Sequence, residues 1–245
     1  MHRRRRFLLL GGIVVTGILG GVATAAAAPV AVDLQLVLAV DASGSVSADR
    51  FDLQKQGYAD AFVNPRVLEA IRSGTHGSIA VTMVHWTGPD LQVQVVEWTR
   101  IDDASSAARF AAAVAAAPRA LYGGGTSISG AIDHAASLFE PSPFRGERRV
   151  IDVSGDGSNN RGRPAADARD DAVRAGIVVN GLPILTLEPN LDVYYRANVI
   201  GGAGSFVIAV DRYEDFAAAI LQKLIEEIAW RKPAAGPSRL ARWTP

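Results

Sequence analysis

The chain has 245 residues, 49% of them hydrophobic, which is long enough to bury the core of one large domain or two small ones. Its formal net charge is zero, but Arg3 to Arg6 hold four of the 25 basic residues; without them 21 basic residues face 25 acidic ones, a net of −4. A mildly acidic body argues against a nucleic acid partner, and the absence of cysteine excludes thiolate catalysis, Fe–S clusters and cysteine zinc sites.

The opening MHRRRRFLLLGGIVVTGILGGVATAAAAP has a basic start, an apolar middle and small residues before a cut, the three parts of a secretory signal. Ala23-Thr24-Ala25 and Ala25-Ala26-Ala27 both fit an A-x-A cleavage site, and Arg4-Arg5-Arg6-Phe7-Leu8 resembles the twin-arginine export signal. The alternative is an uncleaved anchor, because Phe7 to Ala28 is 22 residues without a charge. The alanine-rich second half favours cleavage. Either way residues 1–28 are expected to place the body outside the cytoplasm, periplasmic or extracellular, with the membrane touched only through that segment.

Asp33 to Val40 then reads as an aliphatic strand, and Ser47 to Val63 as a helix with Phe51, Tyr58 and Phe62 at helical spacing and Ser47 as its cap. A short helix to Arg72 follows the Asn64-Pro65 break. Ser78 to Trp86 and Leu91 to Trp98 are two strands joined by Thr87-Gly88-Pro89-Asp90, hence a hairpin with one antiparallel strand. Helices are expected over Asp103 to Ala117, Ser127 to Phe139, Ala165 to Ala175 and Leu191 to Val199. Strands are expected at Arg149 to Val153, Ile177 to Leu185 and Phe206 to Val210. Asp211 should cap a last helix with Phe216, Ile220, Leu224 and Ile228 on one face and Arg231 and Lys232 in its final turn.

Strands alternating with helices predict a doubly wound α/β domain: a mostly parallel central sheet, one antiparallel edge strand and helices on both faces. There is no second core and no internal repeat. The domain is expected over 29–232, followed by a loose tail over 233–245.

Ligands of open α/β sheets gather at the carboxyl ends of the strands, where strand order reverses. Three junctions carry unusual oxygen chemistry: Asp41-Ala42-Ser43-Gly44-Ser45 after a strand, Gly123-Gly124-Gly125-Thr126 opening a helix, and Ser154-Gly155-Asp156-Gly157 closing a strand. Together they resemble a von Willebrand factor type A (VWA) domain with its metal-ion-dependent adhesion site. The D-x-S-x-S motif of that family matches Asp41, Ser43 and Ser45, its threonine matches Thr126, and its last aspartate matches Asp156. Gly155 departs from the threonine common at that place, which removes a hydroxyl but no ligand. Arg148 to Asn160, Ala168 to Ile184 and Val199 to Val210 further resemble a narrower family of exported bacterial proteins.

The resemblance implies that Asp41, Ser43, Ser45, Thr126 and Asp156 hold a divalent cation, and that an open position on the cation takes a carboxylate from a protein or a small anionic ligand. The five side chains offer only oxygen, two charged and three neutral, which suits Mg²⁺ first, then Mn²⁺ or Ca²⁺, rather than zinc or copper. No catalytic residues and no organic cofactor are expected, since no motif positions a general base or an activated nucleophile.

Simpler readings stand beside this one. Ser45, Ser47 and Thr126 each precede an expected helix and would serve as caps. A metal-independent scaffold of the same fold is the alternative function. A subtilase-like serine peptidase is a rival, because Asp41, His76 in Gly74-Thr75-His76-Gly77 and Ser127 occur in the subtilase order; their spacing is too short for that fold. His76, His85 and His134 lack paired ligand spacing. Trp86 and Trp98 should pack on the core, Arg145, Arg148 and Arg149 should form a solvated turn, and Asn159 to Arg163 should rim the binding face or form a plain loop.

Overall fold

The computed structural model describes residues 28–230, so the expected signal or anchor, the tail and the Arg231 and Lys232 pair lie outside the described residues. Strands β1 (Val30–Asp41), β2 (Ile79–Trp86), β3 (Gln92–Ile101), β4 (Phe144–Gly155) and β5 (Val178–Pro183) form one sheet in the order β3-β2-β1-β4-β5. Only β3 is antiparallel, paired with β2 through the hairpin. Helices α1 (Ala48–Val63), α2 (Pro65–Arg72), α3 (Ala104–Ala116), α4 (Ile128–Ser137), α5 (Ala165–Arg174), α6 (Leu191–Asn198) and α7 (Phe216–Ala229) complete the described chain.

β1 is buried from Val32 to its end because it is central and helices cover both faces, which is why its sequence is nearly all aliphatic. The side-chain period of two divides it. Leu34, Leu36, Leu38 and Val40 face Phe51, Tyr58 and Phe62 of α1, Phe110 of α3 and Phe216, Ile220 and Leu224 of α7. Val37 and Ala39 face Ile128 and Ile132 of α4, Ala168 of α5 and Tyr195 of α6. Chain order leaves β1 towards β2 on one side and reaches β4 on the other, so the order reverses between the carboxyl ends of β1 and β4. That is where an open α/β sheet leaves a crevice. Among the described residues no helix is long and apolar enough to cross a membrane.

Three expectations need correction. The strand expected over 206–210 is not a full strand: Val207 and Val210 make only isolated bridges to Gly181 and Ile184 along β5. Across that edge the Gly181 N–H donates to the Phe206 carbonyl, the Ile208 N–H to the Gly181 carbonyl and the Val210 N–H to the Pro183 carbonyl, but Pro183 has no N–H to continue the ladder, and the Asn180 side chain takes the Phe206 N–H. Second, Asp211 does not cap the last helix. A 3₁₀ turn, Tyr213–Asp215, intervenes and buries Tyr213, and α7 starts at Phe216. Third, Arg145, Arg148 and Arg149 are not a turn but the first half of β4, paired with Ala31, Leu34 and Gln35 of β1. Their charge disguised the strand; Arg148 reaches the Glu227 and Ile228 carbonyls at the end of α7.

Candidate functional site

Asp41 ends β1 and Asp156 follows β4, so the two aspartates meet across the reversal point, both buried. The Ser43 N–H donates to Asp41 Oδ1 at 2.7 Å, the two-residue closure expected of an aspartate-led turn. The hydroxyls of Ser43 and Ser45 lie 3.0 Å apart, and Ser45 Oγ donates to Asp156 Oδ1 at 2.6 Å. Four of the five residues singled out in the sequence therefore form one hydrogen-bonded chain. Ser45 is its exposed member, which leaves the cluster open to solvent.

Thr126 comes from a different loop and is brought in by backbone. Its N–H donates to Asn160 Oδ1 at 2.9 Å, and its carbonyl accepts from the Asn160 and Arg161 N–H groups. The loop after β4 is thereby strapped to the glycine-rich loop, and a Cβ at Gly157 would lie 3.9 Å from Thr126 Oγ1. Gly124 (φ 109°) and Gly125 (φ 84°) supply backbone conformations that other residues rarely adopt. The helix caps fall beside the candidate ligands rather than on them. Ser47 Oγ accepts from the Arg50 N–H, and Ser127, not Thr126, caps α4 by accepting from the Gly130 N–H.

The electrostatics are unbalanced. Asp41 Oδ2 is buried without a hydrogen-bond partner. Burial, followed by the neighbouring Asp156 charge, pushes the Asp41 carboxyl up to about 7, against opposing hydrogen bonds from Ser43. A Cβ at Gly155 would stand 3.0 Å from Asp41 Oδ2, 3.1 Å from the Tyr195 hydroxyl and 3.2 Å from the Trp86 ring. A side chain at this position would have to displace Asp41 Oδ2, the Tyr195 hydroxyl or the Trp86 ring by a few tenths of an ångström. The Tyr195 hydroxyl is also buried and unpartnered.

Several contributors carried no motif. The Tyr213 hydroxyl donates to Asp156 Oδ2 at 2.7 Å, from a turn more than fifty residues further along the chain. Arg119 Nη2 donates to the Ala42 and Ser43 carbonyls at 3.0 and 2.8 Å and so braces the first loop. Asn159 Oδ1 accepts from the Ser129 N–H at the start of α4. Nothing in the local sequence marks Tyr213 or Arg119; the double asparagine was visible only as a possible rim.

The peptidase arrangement does not form. His76 lies beside Asp33, at the opposite end of the sheet from Asp41, and its imidazole pairs with Glu147. Ser127 Oγ is occupied as a cap. His85 is buried edge-on to Phe51, and among the described residues no group of three or more His, Cys, Asp or Glu is placed to hold a metal. Trp86 is buried in the core, and Trp98 packs against it.

Comparison with solved structures places the fold. Proximal thread matrix protein 1 from the mussel byssus, in a form with a zinc-occupied MIDAS motif, is 18% identical with a TM-score of 0.58, covering 83% of this chain and 47% of that one. A von Willebrand factor type A structure from Catenulispora acidiphila is 15% identical with a TM-score of 0.51, covering 81% and 42%. The pilus adhesin SpaC from Lactobacillus rhamnosus GG is 13% identical with a TM-score of 0.54, covering 83% and 31%. The chain thus spans less than half the length of each of these proteins, and identities this low speak for the fold alone. No curated protein matches the chain. The fold is of VWA type, and the chain, matched over residues 31–232, belongs to the family described as "Protein of unknown function (DUF1194)".

Proposed function

We propose that this is an exported, non-enzymatic binding module in which Asp41, Ser43, Ser45, Thr126 and Asp156 hold a divalent cation that captures a carboxylate of a protein or small ligand. The observation that carries the reading is Asp41. Its carboxylate is buried with one oxygen unpartnered, next to a second buried carboxylate, and such a pair is costly unless a cation or a proton neutralises it. The donor set fits a hard cation: two carboxylates and three hydroxyls, all oxygen, with the exposed Ser45 side open for a further ligand. A bound cation would supply a Lewis-acidic point for an incoming carboxylate. The residues of this chain do the rest: Asn160 and Arg119 hold the three loops in register, and Gly155 keeps the space beside Asp41 free.

Export rests on residues 1–28, read as a signal or an anchor, and the domain is taken as 29–232. Mg²⁺ is the preferred ion, with Mn²⁺ and Ca²⁺ next; the zinc named for the mussel protein adds Zn²⁺ to the ions worth titrating. Titration calorimetry of the purified protein against each ion, beside an Asp41→Ala/Asp156→Ala variant, tests the assignment. Uptake near one ion per chain that the variant loses is expected. No uptake by a parent shown to be folded would overturn it.

One observation favours a second reading, a metal-independent scaffold. Both oxygens of Asp156 are already satisfied, by Ser45 and Tyr213, so the loops can be held closed by hydrogen bonds alone. A scaffold should retain its partner in chelator, whereas a cation-dependent module should release it.

A further inference from the structure

Three arginines from separate elements bear on the loops of the candidate metal site. Arg119, between α3 and α4, donates through Nε to the Leu121 carbonyl and through Nη2 to the Ala42 and Ser43 carbonyls. Arg50, in the first turn of α1, reaches the Ser45 carbonyl at 3.4 Å and lies 5.1 Å over the Tyr213 ring. Arg161 is exposed, follows Asn160, and lies against the glycine-rich loop: its Cγ stands 2.6 Å and its Nε 3.3 Å from where a Gly125 Cβ would be.

None of these three guanidinium groups pairs with a carboxylate among the described residues. Two other arginines behave differently. Arg163 is held by Asp133 and Asp171, and Arg212 by Asp215. The Glu188 carboxylate, which approaches the loop after β4, is taken up by the Ser158 N–H and hydroxyl. Asp49, beside Arg50 in α1, and Asp90, in the turn between β2 and β3, are exposed and make no hydrogen bond to the three arginines.

We infer that the partner presents a run of acidic residues rather than one isolated carboxylate: one carboxylate meets the cation, and its neighbours meet Arg50, Arg119 and Arg161. The inference rests on the proposed cation site and names the ligand class for it. The physical ground is complementarity. A guanidinium binds a carboxylate through charge-assisted N–H donors; Arg119, braced by backbone carbonyls through Nε and Nη2, is held in place and keeps Nη1 for a ligand, so it loses little freedom on engaging one. Phosphate-rich ligands would also be drawn to guanidinium groups, so the experiment includes them as competitors.

The test uses the purified protein with saturating Mg²⁺ and two peptides of equal length, one with three consecutive glutamates and one with a single glutamate among glycines. Calorimetry or anisotropy should show the triglutamate peptide binding at least roughly tenfold tighter, an advantage that 0.5 M salt reduces. Arg50→Gln and Arg161→Gln, each checked for folding by circular dichroism, should each lower the ratio of the two affinities by roughly two- to fivefold, the range of an exposed ion pair. Equal affinities with metal bound, or a ratio that neither substitution moves, would overturn the inference and leave cation capture standing. Displacement of the triglutamate peptide by equimolar phosphate or oligonucleotide would overturn it too, by showing a general anion surface. Failure of the folded protein to take up any metal would instead remove the reading on which the inference rests.

Discussion

At the scale of single residues, the site is a contest between burial and charge. Asp41 and Asp156 are both removed from water, yet they differ in company. Asp156 accepts from Ser45 and Tyr213, while Asp41 keeps one oxygen without a partner. Tyr213 is therefore expected to matter more than its distance along the chain implies. Tyr213→Phe removes a donor to a buried carboxylate and should cost about 1.5–3 kcal/mol in urea unfolding, the usual worth of a hydrogen bond to a charged group. A loss below about 0.5 kcal/mol, the level of an ordinary surface change, would mean that the bond is not formed in solution. Asp41, Ser43, Ser45, Thr126 and Asp156 were legible in sequence because each sits in a short motif whose spacing reflects local backbone geometry. Tyr213 and Arg119 were not, since each acts from a loop whose position only the folded chain determines.

At the scale of elements, α7 is tied to the sheet by charge as well as by its apolar face. Lys223 is fully buried, 2.8 Å from Asp152 Oδ1 on β4 and 2.5 Å from Glu227 Oε1 one turn along the helix. Asn180 on β5 donates to the same Glu227 oxygen at 2.9 Å. Burial pushes the Glu227 carboxyl up to about 7, held back by Lys223 and raised further by Asp152. Removing only the ammonium strands two carboxylates in the core. Lys223→Met is expected to destabilise the protein by about 3–5 kcal/mol, whereas adding Asp152→Asn and Glu227→Gln to the same chain should recover most of that loss. Denaturant midpoints of the single and triple variants decide it; a triple variant no more stable than Lys223→Met would show that the ions are worth more than their desolvation. The lysine and glutamate lie four residues apart and could be read from the sequence as an ordinary surface helix pair. Their burial could not, because it depends on Asp152 emerging from a strand half hidden behind arginines.

At the scale of the whole molecule, stability should depend on acid through His85. The imidazole is buried on β2, its ring edge-on to Phe51 with centroids 4.9 Å apart. Burial first, then the charges of Lys55 and Arg119, lowers its pKa from 6.5 to about 4. The unfolded chain takes up the proton first as pH falls. The stabilisation from keeping His85 neutral is therefore complete above about pH 6.5 and is lost progressively as pH drops towards 4. The loss amounts to roughly 3 kcal/mol at about 1.4 kcal/mol per pH unit. Comparing urea midpoints of the parent and His85→Leu across that range should show the parent falling away from the variant as the solution is acidified. Parallel curves would show that His85 is solvated or partnered in solution.

What the sequence determined by itself is what short-range physics controls. Aliphatic runs of strand length, Ser47 as a helix cap, the glycine-rich turn and the hairpin all follow from local backbone preferences, and their alternation specified a doubly wound sheet with one antiparallel edge. Where local signals failed, a long-range partner had intervened. Arg148 on β4 was held by the end of α7, the pairing beyond β5 was broken by Pro183, and residues 213–215 were drawn into a turn that buries Tyr213. Only the tertiary structure decided that Asp41 and Asp156 would meet, with one oxygen of Asp41 left unpartnered, at the point where the strand order reverses. Residues more than a hundred positions apart become neighbours there because parallel pairing aligns the ends of β1 and β4, and no local pattern encodes that alignment.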